Sequence, residues 1–198
     1  MIWVLPTAAA VAWLVSLGDR PAGLVAKPLA SLGFVLIGLS GLPFDDRIGS
    51  YVLAGLILAA LGDVALMFER WFMVGLGLFG MGHLAYIAGF TTVAGPSPAW
   101  LVVAAVAMIA AGRWLLPQIA GAMRTAVAVY IVIIGVMLAT ALSAGGRSLA
   151  LPIGAAMFVL SDLLVARERF VTSDDRNRLW GLPLYYAAQV LIASTIAG

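Results

Sequence analysis

By polarity alone, the chain alternates long apolar runs with short breaks that are charged or rich in Gly and Pro. The runs cover residues 2–17, 28–42, 48–68, 71–93, 99–116, 125–142, 149–166 and 179–197. The first two sit at the lower limit of what spans a bilayer; the rest fall within the roughly 17–25 residues a transmembrane helix needs. None shows the strict alternation of a half-buried strand, so helices are predicted throughout. The breaks fall at Gly18-Asp19-Arg20-Pro21, Pro43-Phe44-Asp45-Asp46-Arg47, Glu69-Arg70, Gly95-Pro96-Ser97-Pro98, Pro117-Gln118, Gly145-Gly146-Arg147 and the polar stretch 167–178. Connections this short leave no room for a soluble domain. The pattern predicts an all-α, polytopic integral membrane protein with eight transmembrane helices, residues 1–198 forming one transmembrane domain.

Composition agrees. The chain is 64% hydrophobic and only 10% charged, with a mean hydropathy of +1.11, far beyond what a soluble domain of this size requires. A net charge of +2, with the basic residues scattered through short loops, argues against nucleic acid as a partner. The absence of cysteine removes disulfides, thiolate catalysis and thiolate-bound metals, and the single histidine, His83, rules out a multi-histidine metal site within one chain. Residues 1–17 lack the positive lead of a secretory signal, so a retained first span is expected.

Charge sets an orientation. Arg20, Lys27, Arg70, Arg113, Arg124, Arg167, Arg169, Arg176 and Arg178, nine residues, fall on one side, and only Arg47 and Arg147 on the other. By the positive-inside rule the nine-residue face is cytoplasmic and both termini are extracytoplasmic. Asp63 lies six residues before Glu69 and Asp162 five before Arg167, each roughly 8–10 Å below the cytoplasmic loops. Tyr130 and Tyr186 fall at a similar depth, with His83 and Gln189 deeper, at about 15–18 Å. This is the pattern of a pocket opened from the cytoplasmic leaflet.

A carboxylate at the centre of a spanning helix costs about 2.5–3.5 kcal/mol on insertion scales, so Asp63 and Asp162 call for an explanation. Two carboxyls in a low-dielectric pocket divide their tasks, one holding a proton while the other stays ionised, as general acid–base work requires. Alternatively, each is an interfacial residue capping a helix or pairing with Arg70 or Arg167. The two sites share a context: Asp63 precedes Glu69-Arg70-Trp71 at the offset by which Asp162 precedes Glu168-Arg169-Phe170. This suggests a 4+4 parallel internal repeat that would bring the aspartates face to face. His83 and Tyr86 share one face of span four, and Tyr186 and Gln189 repeat that spacing on span eight; they either orient a substrate or hydrogen-bond between helices. Tyr185 is expected to point elsewhere and pack. Lys27 either snorkels or meets a lipid phosphate, and Ser161 is placed as a hydrogen-bond partner beside Asp162. A metal held by Asp63, Asp162 and His83 has no distinctive ligand spacing behind it. The run Gly75-Leu76-Gly77-Leu78-Phe79-Gly80 matches a dinucleotide fingerprint literally, but it lies within a span with no preceding strand, so that reading fails.

Taken together, several of these positions resemble the YhhN family, whose animal relatives are the transmembrane-protein-86 lysoplasmalogenases. The resemblance rests on Lys27-Pro28, Gly62-Asp63, Gly75…Phe79…Gly82-His83-Leu84-Ala85-Tyr86…Phe90, Tyr130, Gly154…Phe158…Ser161-Asp162, Phe170 and Tyr186-Ala187-Ala188-Gln189. It implies an eight-span hydrolase without an organic cofactor, acting on a lysophospholipid among the membrane lipids. The reaction would cleave the vinyl ether of lysoplasmalogens to a fatty aldehyde and glycerophosphoethanolamine or glycerophosphocholine. Asp63 and Asp162 would then be catalytic, the more desolvated one as the acid. Lys27, His83, Tyr86, Tyr130, Ser161, Tyr186 and Gln189 would serve the substrate. The rivals are a hydrolase of another lysolipid or ether lipid and a proton-coupled transporter, since Asp, His and Tyr also build proton relays.

Overall fold

The computed structural model describes residues 2–17 and 23–197. The first predicted break, Gly18-Asp19-Arg20-Pro21, lies outside the described residues. All regular secondary structure among those described is helical: α1 (Val4–Leu17), α2 (Gly23–Leu39), α3 (Arg47–Leu66), α4 (Phe72–Thr91), α5 (Pro98–Leu115), α6 (Gly121–Ser143), α7 (Ala150–Phe170) and α8 (Leu182–Ser194). A π turn, Asn177–Gly181, leads directly into α8. Five segments, built on α3 to α7, are long and apolar enough to cross a membrane, and the protein is a multi-pass membrane protein.

Local chemistry explains some of the boundaries. Asp46 sits in an extended conformation and accepts a hydrogen bond from the Gly49 N–H, capping α3. Pro98 opens α5 in the first turn, where its missing N–H costs nothing. The boundaries differ from the hydropathy pattern by up to five residues, and two of the shifts are instructive. α2 begins at Gly23 and runs through Pro28, where the proline had suggested a start. α7 continues to Phe170, past the end of the apolar run at 166, with Arg167 and Arg169 in its final turn. Cations are favoured at a helix C-terminus, so the charges there mark an exit from hydrocarbon and not the end of the helix.

α8 lies at the centre, packed against α7, α2, α1 and α3; α3 and α4 form the closest pair, α6 bridges α4 and α7, and α5 lies outermost against α6. Lipid tails are as apolar as leucine, so association here depends on close packing and polar contacts more than on hydrophobic burial. The seam between α3 and α4 shows this. A Cβ at Gly55 would stand 2.3 Å from the Tyr86 ring, and one at Gly62 2.8 Å from Phe79. The interior is aromatic and partly polar, with Phe34, Tyr86, Phe90, Phe158 and Tyr186 buried, while Val102, Val106, Ile109, Val132 and Leu160 face outward.

Candidate active site

Asp63, near the C-terminal end of α3, is 2% exposed. Three groups from two neighbouring helices converge on it. The Ser31 hydroxyl (α2) donates to Oδ2 at 2.6 Å, and the Tyr185 hydroxyl (α8) donates to the same oxygen at 2.7 Å. Lys27 Nζ stands 3.5 Å from Oδ1. A buried carboxylate needs such partners to offset its desolvation. Tyr185 is itself held from behind. Gln189 Nε2 donates to its oxygen at 3.3 Å, and Gln189 Oε1 accepts the Tyr86 hydroxyl at 2.6 Å. A directed chain thus runs Tyr86, Gln189, Tyr185, Asp63, crossing α4, α8 and α3. Tyr186 reaches the Lys27 carbonyl at 3.3 Å and Ser31 Oγ at 3.4 Å, bracing the residues that face Asp63.

Asp162, on α7, is more open, its side chain 22% exposed. Tyr130 (α6) donates to its Oδ2 at 2.6 Å. His83 Nε2 lies 2.9 Å from the Tyr130 oxygen and 3.7 Å from Asp162 Oδ2. Because the Tyr130 proton is committed to Asp162, Nε2 is the donor in the His83–Tyr130 bond. Nδ1 of His83 is then buried without a hydrogen-bond partner, the ring lying edge-on to Phe158 at 4.7 Å between centroids.

Both carboxylates open onto one cavity of about 580 Å³, whose lining also includes Lys27, Tyr130, Ser161 and Tyr185. Its walls are apolar, with Leu76, Phe79, Met108 and Ile131, and Glu168, Arg169 and Asn177 contribute polar lining. A larger, almost wholly apolar groove of about 860 Å³ lies between α5 and α6 and touches neither aspartate.

The structure therefore gathers Lys27, Asp63, Tyr130, Ser161 and Asp162 around one space, and sets His83, Tyr86, Tyr186 and Gln189 behind that layer as supports. Two expectations are corrected. Tyr185 is a partner of Asp63 and not a packing residue, because it lies one helical turn from Gln189 and shares its face. Ser161 does not serve Asp162; its hydroxyl donates to the Gly181 carbonyl at 3.0 Å, tying α7 to the π turn. Ser31 went unrecognised in the sequence. Its signal was a small hydroxyl one turn beyond Lys27 on the same face of an apolar helix. Among the described residues no three His, Asp or Glu side chains converge as metal ligands would.

Comparison with known proteins places this arrangement. The YhhN family profile matches residues 23–196. The chain belongs to the YhhN family. Its curated relatives include lysoplasmalogenase TMEM86A of Bos taurus, 32% identical over 72% of this chain and 63% of that protein. The lysoplasmalogenase of Mycobacterium bovis is 32% identical over 73% of this chain and 59% of its own length. Lysoplasmalogenase TMEM86B of Sus scrofa is 29% identical over 90% of this chain and 78% of its length. Most such matches thus span about three-fifths of the relative. No solved structure matches. Both aspartates, and the side chains that hold them, lie within the YhhN-matched region.

Proposed function

We propose that this YhhN protein is a membrane-embedded hydrolase of the vinyl ether bond of lysoplasmalogens, working by aspartate acid–base catalysis. The observation that carries the reading is that Asp63 and Asp162 open onto a single cavity, each oriented by a tyrosine hydroxyl. Relatives named lysoplasmalogenase support the substrate class.

The geometry supports the following chemistry. Ser31 and Tyr185 fill both lone-pair positions of Asp63 Oδ2, so a proton carried by Asp63 sits on Oδ1. That proton goes to the outer alkene carbon, leaving an oxocarbenium ion at the carbon bonded to the ether oxygen. Asp162, the more open carboxylate, takes a proton from water as the water adds to the cation. The hemiacetal then collapses: Asp162 returns its proton to the departing glycerol oxygen and Asp63 takes the hydroxyl proton, releasing the fatty aldehyde and the glycerophospho alcohol and restoring both carboxyls. The division of labour resembles glycoside hydrolysis, where one carboxyl protonates and another serves water or the cation. Lys27, 3.5 Å from Oδ1, supplies a cation for the substrate phosphate. Drawing Lys27 onto that phosphate frees Oδ1 to act.

In the membrane, eight helices cross a bacterial inner membrane with both termini extracytoplasmic and the cavity towards the cytoplasmic leaflet. The nine-to-two division of Lys and Arg supports this orientation. A 4+4 repeat is supported by a shared detail: Ser31 and Tyr130 each donate to an aspartate 32 residues further on.

The test is aldehyde release from lysoplasmenylethanolamine by purified protein. Asp63→Asn and Asp162→Asn should each abolish turnover while leaving the melting profile in detergent intact. A folded wild-type sample that releases no aldehyde would redirect the reading to another lysolipid or ether lipid.

A further inference from the structure

The cavity does not account for how a lipid leaves the bilayer to reach it. The groove between α5 and α6 lies beside it. Arg113 and Arg124 line one end, flanking the turn between the two helices, and are exposed. Among the described residues neither makes an ion pair. The rest of the lining is almost entirely apolar, reaching Leu101 on α5 and Val136 on α6. From Arg113 to Leu101 is about 18 Å along the helix, close to one leaflet's share of a hydrocarbon core about 30 Å thick. A charged end and an apolar trough of one-leaflet depth complement an anionic phosphate carrying one fatty chain.

The groove also abuts the cavity. Met108 and Ile131 line both spaces. Met108 leans into the room left by Gly135, where a Cβ would stand 2.6 Å from Met108 Cγ. An unbranched, flexible thioether is well suited to moving aside. We infer that the α5–α6 groove is a lateral holding site for a single-chain phospholipid, its phosphate on Arg113 and Arg124, from which the chain passes Met108 into the cavity. This rests on the lysophospholipid reading above and adds a second site to it.

The probe is a saturated alkyl-ether lysophosphoethanolamine with a diazirine at the chain end, which lacks the vinyl ether and is not turned over. Irradiated with the full-length protein in nanodiscs, it should label residues 101–109 or 128–136, read by peptide mass spectrometry. Arg113→Gln with Arg124→Gln should cut that labelling at least tenfold. The double lysine variant should restore it, and Asp63→Asn should leave it unchanged. Met108→Trp should lower kcat/KM for lysoplasmenylethanolamine at least tenfold with groove labelling retained. Labelling confined to the cavity, labelling indifferent to the arginines, or a diacyl phospholipid that competes equally well would each overturn the proposal. So would unchanged turnover in the Met108 variant. If wild-type protein releases no aldehyde, the vinyl ether reading fails on its own, and the labelling result still decides the groove.

Discussion

Asp63 shows how much a single residue depends on the layer behind it. Two hydroxyls fix one carboxylate oxygen and leave the other facing Lys27. Tyr185→Phe removes one of those donors without changing shape. A hydrogen bond to a charged group is worth about 1.5–3 kcal/mol, so kcat should fall roughly 10- to 100-fold, with substrate affinity little altered in steady-state assays. Gln189→Leu should act differently. It leaves the buried Tyr86 hydroxyl without an acceptor, at about 1–3 kcal/mol, and lowers the melting temperature as well as the rate. Asp63, Asp162 and Tyr130 were legible in the sequence because a polar group in an apolar span is conspicuous. Tyr185 was not, because Tyr186 and Gln189 at i, i+3 drew attention from Tyr185 and Gln189 at i, i+4, an equally close pair on a helix of 3.6 residues per turn. A spacing rule alone cannot choose between two adjacent tyrosines; the position of α3 does.

At the scale of elements, hydropathy located the helices, and missed how far they run. Charge ends an apolar run without ending a helix, so α7 carries Arg167 and Arg169 in its last turn. Pro28, a breaker by rule, sits within α2. The glycine seam between α3 and α4 gives a sharp test. Gly55→Ala drives a methyl into the buried Tyr86 ring and should cost about 1–3 kcal/mol by overpacking. Gly77→Ala, where nothing lies within 4 Å of the added carbon, should be neutral or stabilising by up to about 1 kcal/mol; paired thermal melts distinguish them. Beyond α7, Arg167 makes two hydrogen bonds to Asp174, at 2.8 and 2.7 Å. They hold the Asp174 carboxyl below the usual carboxylate range. The bond's contribution is complete above the ordinary aspartate value near 3.9 and is lost as pH falls through the lowered one. Protection factors over residues 171–176, taken against the intrinsic exchange rate at each pH, should therefore hold constant from neutral pH down to about 4 and fall only in stronger acid.

For the whole molecule, composition foretold a multi-pass helical membrane protein, and its apolar exterior and partly polar interior agree with that. What composition could not supply is which helices meet. The central place of α8 depends on contacts between distant parts of the chain, and periodicity carries no such information. Orientation is open to a direct measurement because the chain has no cysteine. A single cysteine replacing Ser173 should react with a membrane-impermeant maleimide only after cells are opened, whereas one replacing Ser148 should react in intact cells.

One contact bears on timing. Arg169, which lines the cavity, pairs with Glu69 from the turn between α3 and α4 at 3.2 Å, both side chains in the open. Exposed ion pairs contribute about 0–1 kcal/mol, at most about a fivefold bias in population at room temperature. So weak a clasp opens readily, and neither moderate salt nor Glu69→Gln should change the rate of aldehyde release by more than a few-fold. The clasp is a loose threshold at the cavity's edge, too weak to hold the cavity shut.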